Sequence, residues 1–145
     1  MTIQTYRDLI AWQKSMDLVV EIYQLTKLFP QEELFGLTSQ IRRAAVSVPA
    51  NIAEGYGRIH RKEYLHYLSI ARGSLMEVET HLQIGVRLTY LERDRARPTW
   101  ELLQETGRLL NGLIRSLESS KQQAGIRESP EDYQILDPWP PIPDP

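Results

Sequence analysis

The stretch that most constrains the fold runs over residues 35–58 and reads FGLTSQIRRAAVSVPANIAEGYGR. Five of its apolar residues follow one another at steps of three or four, which places their side chains on one side of an α-helix. They are Leu37, Ile41, Ala44, Val48 and Ile52. The stretch therefore predicts a helix with one face in a hydrophobic core.

A second line on the same helix is polar. It consists of Gln40, Arg43, Ser47, Asn51 and Glu54. Solvated helix faces usually carry Lys and Glu rather than Ser and Asn, because Ser and Asn are weaker helix formers. Two interpretations stay open, a solvated face and a polar seam that faces another subunit or a ligand.

Pro49 and two glycines shape the end of this helix. Pro49 removes one backbone hydrogen bond and its ring presses on the carbonyl of Ala45, which predicts one bent helix rather than two helices. Gly55 and Gly57 predict a helix end at which the backbone adopts a positive φ.

Three further segments repeat the spacing of three and four, and short connections make consecutive helices antiparallel neighbours. The predicted fold is all-α, an antiparallel up-down four-helix bundle over residues 1–120 with helices at about 6–28, 37–56, 60–91 and 97–119. Pro98 is expected in the first turn of the fourth helix. Gly73 and Gly85 are expected to mark close contacts of the third helix, because each costs helix propensity.

Helix one carries two apolar lines. The line assigned to the core of the bundle is Leu9, Trp12, Met16, Val19 and Tyr23. The line assigned to an oligomer interface is Leu18, Ile22, Leu25 and Phe29. One line suffices for the chain's own core, so two lines favour contact with another chain, and a single wide core stripe is the alternative.

Composition narrows the class of protein. With 145 residues, 41% hydrophobic and 25% charged, the chain fits one folded domain with a real core. The absence of cysteine excludes disulfides and thiolate metal sites. No signal peptide and no run of about 20 apolar residues is found, which predicts a cytoplasmic protein with no membrane partner.

The C-terminal segment differs in composition from the bundle. Residues 121–145 form a proline-rich acidic tail, and six of the nine prolines lie at or after Pro130. Such a tail adopts polyproline II or extended chain. Tyr133, Ile135, Leu136, Trp139 and Ile142 are apolar enough for docking on a bundle, so a solvated extension and a docked arm both stay open.

Positive charge is concentrated in the middle of the sequence. The chain has a formal net charge of −2, yet residues 42–97 hold ten Lys and Arg against six Asp and Glu. Two clusters at opposite ends of the predicted bundle are candidate nucleic-acid contacts: Arg58, Arg61 and Lys62, and Arg87, Arg93, Arg95 and Arg97. The alternative is ordinary solvated helix ends, because dedicated nucleic-acid binders usually have a pI above about 9.

Three stretches carry a family resemblance. FPQEELFGLTSQIRRAAVSVPANIAEGYGR, YRDLIAWQKSMDLVVEIYQLTKLFP and GSLMEVETHLQIGVRLTYL resemble bacterial four-helix-bundle proteins encoded within intervening sequences of 23S rRNA genes. The resemblance covers residues 6–118 and implies a homopentameric ring whose biochemical role is unsettled. The family is also remotely similar to accessory proteins of diversity-generating retroelements, which are basic and associate with nucleic acid and a reverse transcriptase.

Two short patterns are possible signs of an enzyme. Glu63 and His66 have the Glu-x-x-His spacing of di-iron bundles, but such sites need a second copy of the motif, and helix four has no histidine. No metal or cofactor is therefore predicted. Arg61 and His66 resemble the Arg-x4-His motif of HEPN-type ribonucleases, in which histidine transfers the proton and arginine stabilises the phosphate.

The sequence thus leads to three functional hypotheses in order. The first is a non-enzymatic, self-assembling module that binds structured RNA or a ribonucleoprotein. The second is a protein-binding ring scaffold with no nucleic-acid role. The third is a HEPN-like ribonuclease.

Overall fold

A computed structural model describes residues 2–119, which form four helices and two short 3₁₀ turns. The helices are α1 (Ile10–Thr26), α2 (Leu37–Tyr56), α3 (Arg61–Arg87) and α4 (Arg93–Ser119), and the turns are Tyr6–Asp8 and Gln31–Glu33. Each helix packs on two neighbours in chain order, and α4 closes the bundle against α1. The predicted all-α four-helix bundle is confirmed, whereas the tail prediction lies outside the described residues.

The α2 stripe lies at the centre of the core. Its five members, Leu37, Ile41, Ala44, Val48 and Ile52, are all buried. Ile41, Val48 and Ile52 are buried completely. Pro49 is also buried inside α2, which runs through it as one helix. The most extensive contact between two helices of the bundle is that of α2 with α3.

The two apolar lines of α1 do not divide between core and surface as their spacing predicts. Leu18, Ile22, Leu25 and Phe29, assigned to an oligomer interface, are no more than 7% exposed and lie in the core of their own chain. On the line assigned to the core, Leu9 is buried, but the outer members Met16 and Tyr23 are 41% and 40% exposed.

The buried line of α1 includes small residues that the spacing of large apolar residues does not reveal. Ala11 and Ser15 continue the buried line of α1. Ser15 is completely buried, and its hydroxyl donates to the backbone oxygen of Trp12 at 2.7 Å. A serine that satisfies its own helix costs little to bury. Because Ser15 is polar, the sequence alone does not show that the buried line of α1 continues through it.

The N-terminus of α1 starts later than predicted. Thr5 and Asp8 form a capping box around the first 3₁₀ turn, and the Asp8 carboxylate accepts from the backbone N–H groups of Gln4 and Thr5 at 2.9 and 3.1 Å. These bonds lower the pKa of Asp8. Leu9 is then extended, with ψ of 122°, so the regular helix begins at Ile10.

The N-terminus of α4 starts earlier than predicted. The helix begins at Arg93, and the amides of Arg95 and Ala96 both donate to the carbonyl of Glu92 at 3.1 Å. Pro98 therefore lies inside the helix, beyond the first turn, which corrects the sequence assignment. Burial of Ala96 together with Trp100 favours helix over this segment and offsets the one hydrogen bond that Pro98 removes.

Two glycine predictions are corrected and one is confirmed. No glycine among the described residues has a positive φ, and Gly57 caps α2 at φ −75°. A Cβ on Gly73 would meet nothing within 4 Å, so Gly73 marks no close contact inside the chain. A Cβ on Gly85 would lie 2.9 Å from Cζ of Phe29, so the predicted close approach is real there.

Thr89, rather than a glycine, has the left-handed backbone at the end of α3. Its φ is 63°, its amide donates to Val86, and the next amide, that of Tyr90, donates to Gly85, both at 2.9 Å. This pattern is a Schellman motif, whose left-handed position is usually glycine. It ends α3 at Arg87 instead of the predicted residue 91.

Replacing Thr89 with glycine is expected to raise the free energy of unfolding by about 1 kcal/mol, because a β-branched residue is strained at positive φ. Urea unfolding measures the change. The matched control is Thr80→Gly, in the exposed interior of α3, which is expected to lower stability. Equal changes in the free energy of unfolding at the two sites would show that backbone strain at Thr89 is not the cause.

Candidate nucleic-acid interface

The antiparallel bundle places the two predicted cationic clusters at opposite ends. The C-terminus of α2 and the N-terminus of α3 bring Arg58, Arg61 and Lys62 to one end. The C-terminus of α3 and the N-terminus of α4 bring Arg87, Arg93, Arg95 and Arg97 to the other. We call these the α2–α3 cluster and the α3–α4 cluster.

Arg58 of the α2–α3 cluster is already engaged within the chain. Its Nη2 donates to Oε1 of Glu54 at 2.6 Å and to the hydroxyl of Tyr67 at 2.7 Å, and its guanidinium lies 4.8 Å from the centre of the Tyr67 ring. The bond to Glu54 raises the pKa of Arg58. A phosphate at this end would have to compete with the Glu54 carboxylate.

The α3–α4 cluster is more available. Arg87, Arg95 and Arg97 are exposed, Arg93 is half-buried, and the carboxylates in the same segment are Glu92 and Asp94. Within residues 2–119, the ion pairs found within 4.0 Å join Lys14 to Glu105 and Arg58 to Glu54, and none involves Arg87, Arg95 or Arg97. Arg87, Arg95 and Arg97 are therefore exposed without an ion pair to a described carboxylate. Glu32 and Glu33 of the α1–α2 connection also lie at this end, where Oε1 of Glu33 is 3.4 Å from the hydroxyl of Tyr90.

The predicted polar seam divides into exposed ends and a half-buried centre. Gln40, Arg43 and Glu54 are exposed. Ser47 and Asn51 are half-buried, and Ser47 connects α2 to α3 because the hydroxyls of Ser47 and Ser74 lie 2.8 Å apart.

Asn51 completes this centre by donating to the backbone oxygen and the hydroxyl of Ser47 at 2.8 and 2.9 Å. The centre of the seam therefore stabilises the α2–α3 packing of its own chain.

Tyrosines surround the α2–α3 cluster. The rings of Tyr56 and Tyr64 are edge-to-face at 6.1 Å, and burial raises the pKa of Tyr64 to about 12. Sequence spacing alone does not indicate this arrangement, since the two tyrosines come from different helices.

Alkaline titration is expected to show one phenol, that of Tyr64, ionising near pH 12 rather than near its ordinary value of 10. The folded-state pKa is the higher one, so this group's contribution to stability is complete below pH 10 and is lost as pH rises towards 12. Ultraviolet absorbance measures the ionisation. The Tyr64→Phe control should lack the late phase, and its persistence would assign that phase to another tyrosine such as Tyr90, whose pKa burial also raises.

Arg61 and His66, the residues of the possible ribonuclease motif, lie near the N-terminus of α3. His66 is exposed and meets the ring of Tyr67 edge-to-face at 5.6 Å, while Arg61 is half-buried. In the described part of the chain, no group of three or more His, Asp or Glu side chains is placed to hold a metal ion. No helix among residues 2–119 is long and apolar enough to cross a membrane.

Comparisons with known proteins agree with this architecture. A crystal structure of a protein of unknown function from the S23 ribosomal protein family of Bacteroides thetaiotaomicron is similar, with 27% identity and a TM-score of 0.68. The similarity covers 73% of this chain and 99% of that one. No curated protein matches the chain. The sequence profile of the 23S rRNA-intervening sequence proteins matches residues 7–112, and the chain therefore belongs to that family.

Proposed function

We propose that the protein is a self-assembling, non-enzymatic helical-bundle module that binds structured RNA through the α3–α4 cluster. The observation that carries the proposal is the set of exposed arginines at one end of the bundle, Arg87, Arg95 and Arg97, with no ion pair to a described carboxylate. Arginine binds phosphate with a planar, bidentate fork, and phosphate contacts supply most of the affinity for nucleic acid.

Self-assembly is supported by apolar side chains on two outer faces of the bundle. Met16, Val20 and Tyr23 of α1 are 40% to 56% exposed, and Ile70 and Ile84 of α3 are 39% and 38% exposed. The two helices occupy different corners of the bundle. A contact between two different faces is head-to-tail, and it closes into a ring when the rotation between subunits fits.

A ring would strengthen RNA binding. Each subunit repeats the α3–α4 cluster, so several modest clusters act together on one RNA and raise the effective affinity. Screening by salt limits the long-range repulsion between RNA and the overall negative charge of the chain.

A protein-binding ring without RNA is the second candidate function. The exposed apolar residues of α1 and α3 support it, because patches of this kind mark protein contacts.

Native mass spectrometry of protein purified at low salt without nuclease tests both candidates, because one spectrum reports subunit number and bound polymer. A ring, expected to be a pentamer, with an RNA adduct that added salt removes would support the proposal. A ring without RNA would favour the protein scaffold, and a monomer without RNA would contradict self-assembly and RNA binding together.

A further inference from the structure

Phe35 is the most exposed large apolar residue in the described part of the chain. It lies in the connection between α1 and α2 and is 93% exposed. At that exposure, both faces of its ring are open to solvent. An aromatic ring loses free energy when it leaves water, and such rings dominate the energetics of many interfaces. Phe35 is therefore a candidate contact for another molecule.

Hydrogen bonds fix the backbone that carries this ring. The amide of Glu33 donates to the carbonyl of Pro30 at 2.9 Å, and the amide of Gly36 donates to the carbonyl of Glu33 at 3.0 Å. The carboxylate of Glu33 accepts from the amide of Leu37, the first residue of α2, at 2.9 Å. Because the turn around Phe35 is already ordered, little conformational entropy is lost when its ring binds a ligand.

The connection that contains Phe35 packs against the connection between α3 and α4. The hydroxyl of Tyr90 donates to Oε1 of Glu33 at 3.4 Å, and the rings of Tyr90 and Phe29 are 5.6 Å apart. Glu33 lies two residues before Phe35, and Tyr90 lies three residues after Arg87. The exposed ring and the α3–α4 cluster therefore share one end of the bundle, on two segments that contact each other.

The exposed charges at this end are of both signs. The exposed cations are Lys27, Arg87, Arg95 and Arg97, and the exposed carboxylates are Glu32, Glu92 and Asp94. Glu33 is half-buried, and its carboxylate is bonded to groups of its own chain. The three arginines have no ion pair to a described carboxylate. An open aromatic ring beside such arginines suits a ligand that combines planar rings with phosphates.

We propose that Phe35 stacks on an unpaired base of the bound RNA while the α3–α4 cluster contacts neighbouring phosphates. The inference rests on the proposed RNA binding and adds the class of RNA, which is single-stranded loops rather than continuous duplex. Bases in a duplex are stacked on one another, so their faces are closed to a protein ring. Bases in a loop can be unstacked and can pack on an aromatic side chain.

Anisotropy measurements on two labelled RNAs test the proposal with the full-length protein. One RNA is a hairpin with an unpaired loop, and the other is a continuous duplex with the sequence of its stem. Phe35→Ala is expected to weaken hairpin binding by about tenfold, the usual effect of losing one stacked base, and to leave duplex binding unchanged. The exposed ring takes no part in the core, so the substitution preserves the fold.

Two further substitutions at this position separate stacking from general apolar contact. Phe35→Trp keeps a planar ring and should retain the affinity of the unmodified protein for the hairpin. Phe35→Leu keeps an apolar side chain without a ring and should bind as weakly as Phe35→Ala. The matched control is Ile59→Ala at the opposite end of the bundle, where Ile59 is 92% exposed and no change in binding is expected.

Three results would overturn stacking by Phe35 and leave the proposed RNA binding intact. The first is hairpin binding that Phe35→Ala does not change, although charge reversal of the α3–α4 cluster weakens it. The second is an equal loss of affinity for hairpin and duplex. The third is a lower subunit number of Phe35→Ala in native mass spectrometry, which would place the ring in a contact between copies. Failure of the unmodified protein to bind either RNA would overturn both proposals.

Discussion

Replacing Arg87, Arg95 and Arg97 with glutamate is expected to weaken RNA binding by on the order of a hundredfold or more near 0.1 M salt. Each phosphate contact adds roughly 0.7 to 0.9 to the slope of log affinity against log salt. Three lost contacts therefore remove roughly 2 to 2.7 decades from the affinity change between 0.1 and 1 M salt. Arg93 is left in place because it is half-buried. Fluorescence anisotropy of a labelled RNA hairpin, titrated at several salt concentrations, measures affinity and slope together.

The matched control reverses the same number of charges at the other end, at Arg58, Arg61 and Lys62. A smaller loss is expected there, because Arg58 is bound to Glu54 and Tyr67. Equal losses would mean that binding follows net charge rather than position. If the first variant binds as the unmodified protein does, the α3–α4 cluster takes no part in RNA binding.

The sequence predicts those features of the fold that depend on one helix at a time. The α2 stripe is readable because apolar residues at steps of three and four are needed to bury one face, and all five members are buried. The opposite positions of the two cationic clusters are equally predictable, because short connections require antiparallel neighbours.

Features that depend on local polar contacts or on a second helix are harder to predict from the sequence. The core line of α1 includes Ser15, whose polarity conceals its burial until the local hydrogen bond to Trp12 is known. Thr89 holds the left-handed position that sequence patterns assign to glycine. In the candidate site, the pairing of Arg58 with Tyr67 needs the α2–α3 packing, so the unequal availability of the two clusters is not evident from charge alone.

Gly55 is the clearest case of a role set by the neighbouring helix. The sequence suggests a helix end with positive φ, but Gly55 is buried inside α2 where α3 packs against it. A Cβ there would lie 2.9 Å from Cβ of Tyr67 and 3.1 Å from the backbone oxygen of Tyr64. Neither atom can move without shifting α3, so the absence of a side chain permits the contact between the helices.

Gly55→Ala is accordingly expected to lower the free energy of unfolding by about 2 kcal/mol, although alanine is the better helix former. The control is Gly73→Ala in α3, where a Cβ meets nothing within 4 Å and a gain of up to about 1 kcal/mol is expected. Urea unfolding of both variants measures the difference. Alanine is favoured over glycine by helix propensity at both sites, so stability changes of opposite sign isolate the cost of crowding between α2 and α3. Stabilisation by Gly55→Ala would show that the two helices separate readily at this contact.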